Sequence, residues 1–178
     1  TTDTFTGGSV TGLTLKAPAG ATVVTPATTL YVEIKETNPN IKSTELASAL
    51  GLAEVNILEF NPFSADVDPQ LALEAEKVAS QIVTTITSIS AAGEGAGATK
   101  EQAFEKALKA VTSVVNSKLN SENLGSSNSQ NSSEAKIDFA DNSLLSEVSN
   151  IAKTELASVV TAPEALNTVL ETSVQAIK

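Results

Sequence analysis

The feature that most constrains the fold is a helix-start signal that recurs along the chain, each time ahead of an apolar stripe at helical spacing. Thr25-Pro26 and Asp68-Pro69 set a short polar N-cap before a proline. The fixed φ and missing N–H of proline suit the first helical position. Thr99-Lys100-Glu101-Gln102 and Thr161-Ala162-Pro163-Glu164 have the capping-box pattern, in which N-cap and N3 residues satisfy each other's backbone. Asp141 is a further N-cap candidate. Behind these starts lie stripes that recur every three to four residues: Leu30, Tyr31 and Ile34; Leu71, Ala75, Val78, Ile82, Ile86 and Ile89; Phe104, Ala107, Leu108, Val111, Val114 and Val115; Leu144, Leu145, Val148, Ile151, Ala152, Leu156 and Val159; Leu166, Val169, Leu170, Val174 and Ile177.

The expected fold is therefore mainly α: a helical bundle of about four main helices with short helices before them. One short helix starts at Ser43 and is ended by Gly51; the longest runs from Asp68-Pro69 to about Ser90. A short N-terminal β-segment precedes the body, because Val10, Leu13 and Leu15 come near alternation between glycine and proline breaks. Residues 1–24 then read as an extended or β lead-in, 25–118 as a helical module, 119–137 as a Ser/Asn-rich flexible linker, and 138–178 as two C-terminal helices packed on the same bundle. The linker offers little apolar surface to offset chain entropy. "AAGEGAGA", residues 91–98, reads as a flexible turn. No repeat of 20–50 residues marks a solenoid.

Composition narrows the chemistry. The chain has no Cys, His, Met or Trp, and every basic residue is Lys. The commonest ligands for zinc, iron and copper are missing, as are triads built on a His base or a Cys nucleophile and the bidentate Arg clamp for phosphate. Carboxylate and hydroxyl chemistry survives, together with oxygen-ligand sites for calcium or magnesium. A net charge of −10 opposes nucleic acid and anionic membranes, and no apolar run is long enough to insert into a bilayer. With aromatics at 3%, small aliphatic side chains suit closely packed helices better than a deep ligand pocket. A chain without Met is expected to be a segment of a longer protein or a processed product.

The densest carboxylate cluster is "SADVDPQ", with Asp66 and Asp68 two residues apart; "DFADN" places Asp138 and Asp141 three apart. These four are the candidate metal ligands, for calcium. The competing reading is that Asp68 and Asp141 are N-caps and Asp66 is solvated. Neither stretch has the spaced acids, glycine and terminal glutamate of an EF-hand. "GEGAG" at 93–97 lacks the glycine spacing of a dinucleotide fingerprint. The threonines of residues 1–14 are too irregularly spaced for an ice-binding face. No glutamate pair is singled out as a glycosidase-type acid and base. No catalytic or cofactor-binding residue is assigned.

The succession "LKAPAGATVVTPATTLYVEI", "ALGL", "EFNPF" and an Ala-rich helix containing "EKVASQIVTTI" resembles a helical module of large secreted or surface-attached bacterial adhesins and repeats-in-toxin-type exoproteins. Thr25, Pro26, Thr28, Thr29 and Leu30 match its "TPLTTL" motif; Ala49, Leu50, Gly51 and Leu52 match "aLGL"; Phe60 and Pro62 match "FDP". Ala27 stands where Leu is usual and Asn61 where Asp is usual, so a polar role of that Asp is in question here. The resemblance covers about residues 10–118. It implies an extracellular or cell-surface, architectural setting beside β-sandwich-type domains of the same long chain, with a surface glycan or protein as ligand.

The expected function is a non-catalytic structural or adhesive module, a spacer or presenting domain. The alternative is a ligand-binding module for calcium, carbohydrate or peptide, and behind it a carboxylate-based enzyme. No cofactor is expected apart from calcium, and self-association through Ala/Val stripes stays open.

Overall fold

The structure, a computed structural model, describes residues 14–125 and 136–176. Six helices follow in order: α1 Pro26–Thr37, α2 Ser43–Ala49, α3 Pro69–Gly95, α4 Lys100–Gly125, α5 Asn142–Leu156 and α6 Pro163–Ala176. The long helix α4 is central, packed against α3 on one side and α5 on the other. Helix α6 closes over α3, α1 crosses both α3 and α4, and α2 rests on α1 and α4. One continuous core draws on every helix, through Leu30, Leu46, Ile82, Val111, Leu156 and Leu170 in turn. The expected mainly helical fold is present, its helices packed around that core. No strand forms among the described residues, and most of the expected β-segment, Val10 and Leu13 included, lies outside them.

The helix starts follow from local polar chemistry. Asp68 Oδ1 accepts from Gln70 N (2.8 Å) and Leu71 N (3.1 Å) at the head of α3. Asp141 Oδ1 accepts from Leu144 N (2.9 Å) at the head of α5. Thr99 and Gln102 close the expected capping box at α4, with the two reciprocal bonds at 3.3 and 3.2 Å. Each satisfies N–H groups that the first helical turn leaves without partners.

Helix ends depart from expectation in two places. Helix α3 continues past Ser90 to Gly95, because Ala92 and Gly93 are buried in the bundle and packing overrides the low helix propensity of glycine. The turn is confined to residues 96–98. Helix α4 runs through Gly125, and Leu119 is buried at 5% exposure, so part of the Ser/Asn-rich stretch is helical; residues 126–135 lie outside the described ones. Thr161 also departs from its expected capping role: its hydroxyl donates to the Ala96 carbonyl (3.4 Å).

Two glycines decide how the C-terminal part is attached. At the end of α2, Gly51 has φ +74°; its N–H donates to Ser48 O (2.8 Å) and the Leu52 N–H to Ala47 O (2.7 Å). At the end of α3, Gly97 has φ +99°, with Gly97 N to Glu94 O and Ala98 N to Gly93 O, both 3.0 Å. These are Schellman stops, which need a left-handed residue after the C-cap. In both, a later segment of chain crosses the glycine and bonds a helix-end carbonyl. Ile137 N donates to Ala49 O (2.7 Å), while Thr161 N and Ala162 N donate to Ala96 O (3.0 Å each). A Cβ on Gly51 would lie 2.0 Å from Lys136 Cε, and one on Gly97 would lie 2.0 Å from Thr161 Oγ1. The stops of α2 and α3 are thus also the seats of residues 136–137 and 161–162.

Candidate functional site

The "TPATT" stretch begins α1 and fastens the incoming chain. Thr25 Oγ1 accepts from Thr28 N (3.1 Å), and Thr28 Oγ1 accepts from Thr25 N (2.8 Å), a capping box in which threonine does the work usual for Glu or Gln. The Thr28 hydroxyl also lies 2.9 Å from the carbonyl of Lys16, and Thr29 Oγ1 accepts from Lys16 N (2.9 Å). Both threonines are buried, at 0% and 2% exposure. The lead-in therefore has both backbone groups of Lys16 satisfied by side chains at the start of α1. A second tie holds it further on, from Thr22 N to Leu58 O (2.9 Å).

The loop that runs into "EFNPF" receives this tie at Leu58, just ahead of that stretch. Asn56 Oδ1 accepts from Leu58 N (3.2 Å), and Asn61 Oδ1 accepts from Phe63 N (3.1 Å). An amide oxygen makes this Asx turn as well as a carboxylate does, so Asn61 needs no charge for the task it performs here.

The four candidate metal ligands are not brought together as a metal-binding set. Asp68 and Asp141 are N-caps, as above, and Asp66 is exposed on the loop before α3. Asp138 is half-buried; its Oδ1 accepts from Ala140 N (2.9 Å) and from Gln81 Nε2 on α3 (3.0 Å). The Ala140 N–H foremost, then the Gln81 amide and the nearby Lys77 and Lys136, hold its carboxyl below the usual carboxylate range, against a smaller opposing effect of burial. Among the described residues no three Asp or Glu side chains converge as a metal would require. Gln81 is the partner that sequence reasoning missed. It lies between the core residues Val78 and Ile82, and nothing in its local pattern announces an acceptor 57 positions later.

Concavities among the described residues include the following two. An open groove of about 370 Å³ is lined by Thr14, Lys16, Glu33, Lys100, Glu101 and Glu105, over Phe104 and Leu108. Its Lys16 and Glu33 are ion-paired, which raises the Lys16 pKa; that pair supports folding below the ordinary lysine value and loses its effect as pH rises through the raised one. The other is a shallow apolar depression of about 40 Å³ between α1, α3 and the loop that joins α2 to α3. Elsewhere charges link elements: Lys106 and Lys109 both reach Glu155, and Lys118 reaches Glu147, tying α4 to α5.

Comparison with known proteins gives no match to a family model, a curated protein or a solved structure. No helix among the described residues is long and apolar enough to cross a membrane.

Proposed function

We propose that the chain is a non-catalytic structural module, a helical spacer or presenting domain of a large bacterial surface or secreted protein. The observation that carries this reading is how the chain spends its polar side chains. Thr25, Asp68, Thr99 and Asp141 cap helices, Thr28 and Thr29 hold the lead-in, Asn56 and Asn61 form turns, and Asp138 joins two segments. An oxygen that satisfies a backbone N–H is committed to holding the chain rather than to moving a proton. The fastened lead-in and the two glycine seats bind both ends of the described chain into one core, as suits a module that relays position between neighbours. The extracellular setting, the adjoining β-sandwich-type domains and a glycan or protein ligand rest on the resemblance to adhesin modules.

Thermal unfolding followed by far-UV circular dichroism, in chelator and in millimolar calcium, tests the reading. One cooperative loss of helix at the same temperature in both solutions is expected. A calcium-induced rise of several degrees would overturn it in favour of a calcium-binding module, since a ligand of the folded state raises apparent stability. Asp66→Ala and Asp138→Ala would then locate the ion.

A further inference from the structure

Residues 14–24 pass over the outside of the bundle without entering its core. None of them is buried, and Val24, the last, is 58% exposed. Polar contacts hold the segment at two points. The first is Lys16: its N–H donates to Thr29 Oγ1 (2.9 Å), its carbonyl lies 2.9 Å from the Thr28 hydroxyl, and its ammonium pairs with Glu33. The second is the bond from Thr22 N to Leu58 O (2.9 Å).

Between Lys16 and α1 the chain goes out and comes back. Ala21 N donates to Pro18 O (3.2 Å) in a turn that sets Gly20 at φ +88°, a left-handed value that glycine adopts without a steric penalty. The chain then returns to Thr25, the N-cap of α1, whose Oγ1 accepts from Thr28 N (3.1 Å). Thr28 thus touches both Thr25 and Lys16. Residues 17–24 form a loop whose two ends meet on the first turn of α1.

We propose that Lys16 is a mechanical clamp over stored chain length. Tension arriving from the N-terminal side passes from Lys16 into α1, so residues 17–24 bear no load while the clamp is closed. Once it opens, they are drawn out before the helical core yields. The order follows from what each hold is made of. The clamp is polar, and its groups exchange protein partners for water as it opens. Helix α1 is anchored by Leu30 and Ile34, both at 0% exposure, and by Tyr31 at 7%, and it leaves only by uncovering apolar surface. In a spacer, such a clamp lets the chain lengthen and recover without unfolding. That use rests on the spacer reading; the clamp itself does not.

The test is optical-tweezers extension of the whole chain. The chain has no cysteine, so Thr14→Cys and Ser117→Cys supply two unique attachment points. Both positions are exposed, and Ser117 lies on α4, which keeps α5 and α6 out of the line of force. A reversible lengthening of about 25–30 Å is expected first, the contour of residues 17–24 at roughly 3.3–3.6 Å each. The cooperative opening of the core should follow at higher force. Thr29→Val keeps the side-chain shape and removes the acceptor of the Lys16 N–H, so it should shift the first step to lower force or abolish it. Glu33→Gln removes only the ion pair and should shift the step in the same direction, which carries the test if Thr29→Val does not fold. The rupture force of the core should stay unchanged in both. A single rupture with no earlier step overturns the proposal. So does a first step long enough to include α1, or one that the variants leave at the same force. These outcomes leave the spacer reading standing, since the calcium melt decides it separately.

Discussion

Asp138 shows how much one carboxylate does when it sits between two segments. The N–H of Ala140 folds the local turn onto it, and Gln81 holds that turn to α3. Its folded-state pKa is lowered, so the charge contributes stability above the ordinary carboxylate value, and that contribution is lost as pH falls through the lowered one. We predict that Asp138→Asn, which keeps an acceptor oxygen but removes the charge, lowers stability at pH 7 by a few tenths to about 1 kcal/mol. The deficit should shrink as the pH is taken from 7 down towards 2 and the wild-type carboxyl takes up its proton. Urea unfolding of both proteins at the two pH values checks this, and an equal deficit at both would assign the effect to packing instead. At this scale the sequence was legible wherever a side chain serves its own backbone. Asp68, Thr99 and Asp141 announce themselves by standing just ahead of a helical stripe. Gln81 and the hold of Thr28 and Thr29 on Lys16 could not be read, because a long-range partner leaves no local pattern.

Helix ends were harder to read than helix starts. A start is written in two to four residues, whereas an end depends on what packs over it. Glycine at 93 and 95 suggests a break, yet α3 passes through Gly93 and ends only at Gly95. The two glycines nevertheless differ. A Cβ at Gly93 would lie 2.7 Å from Leu156 Cδ2 and 3.2 Å from the Ala103 Cβ, whereas one at Gly95 would meet nothing within 4 Å. Leu156 is fully buried at 0% exposure, so it has little room to retreat. Glycine at 93 therefore permits the close approach of α3, α4 and α5, and at 95 it serves no packing purpose. We predict opposite signs for the same substitution. Gly95→Ala should raise stability by roughly 0.5–1 kcal/mol through helix propensity and reduced freedom of the unfolded chain. Gly93→Ala should lower it, because overpacking costs about 1–3 kcal/mol and outweighs that gain. Chemical denaturation of the pair decides the point; a stabilising Gly93→Ala would show that the α3–α5 contact is looser than these distances require.

The attachment of residues 136–176 decides what counts as the folding unit. By sequence alone a helical module was expected to end near residue 118, with the last two helices sharing its core only as an expectation. In the structure they complete it. Helix α4 has α5 along one side and α3 has α6 over it, and the segment supplies Phe139, Leu145, Leu156, Leu166 and Leu170, all buried. Burying side chains of this size is worth about 1.5–3 kcal/mol each, so removing five forfeits roughly 10 kcal/mol. A whole domain has only about 5–15 kcal/mol of stability. The loss also uncovers their apolar partners on α3 and α4 and leaves the carbonyls of Ala49 and Ala96 without the donors that Ile137, Thr161 and Ala162 provide. We therefore predict that a chain ending at Gly125, although it retains α1 to α4 and all three resemblance motifs, does not unfold cooperatively, whereas the whole chain does. Circular dichroism melts and amide hydrogen exchange of the two chains check this. A sharp melt with protected α3 and α4 amides in the shorter chain would mean that residues 14–125 hold a sufficient core and that α5 and α6 are an addition to it.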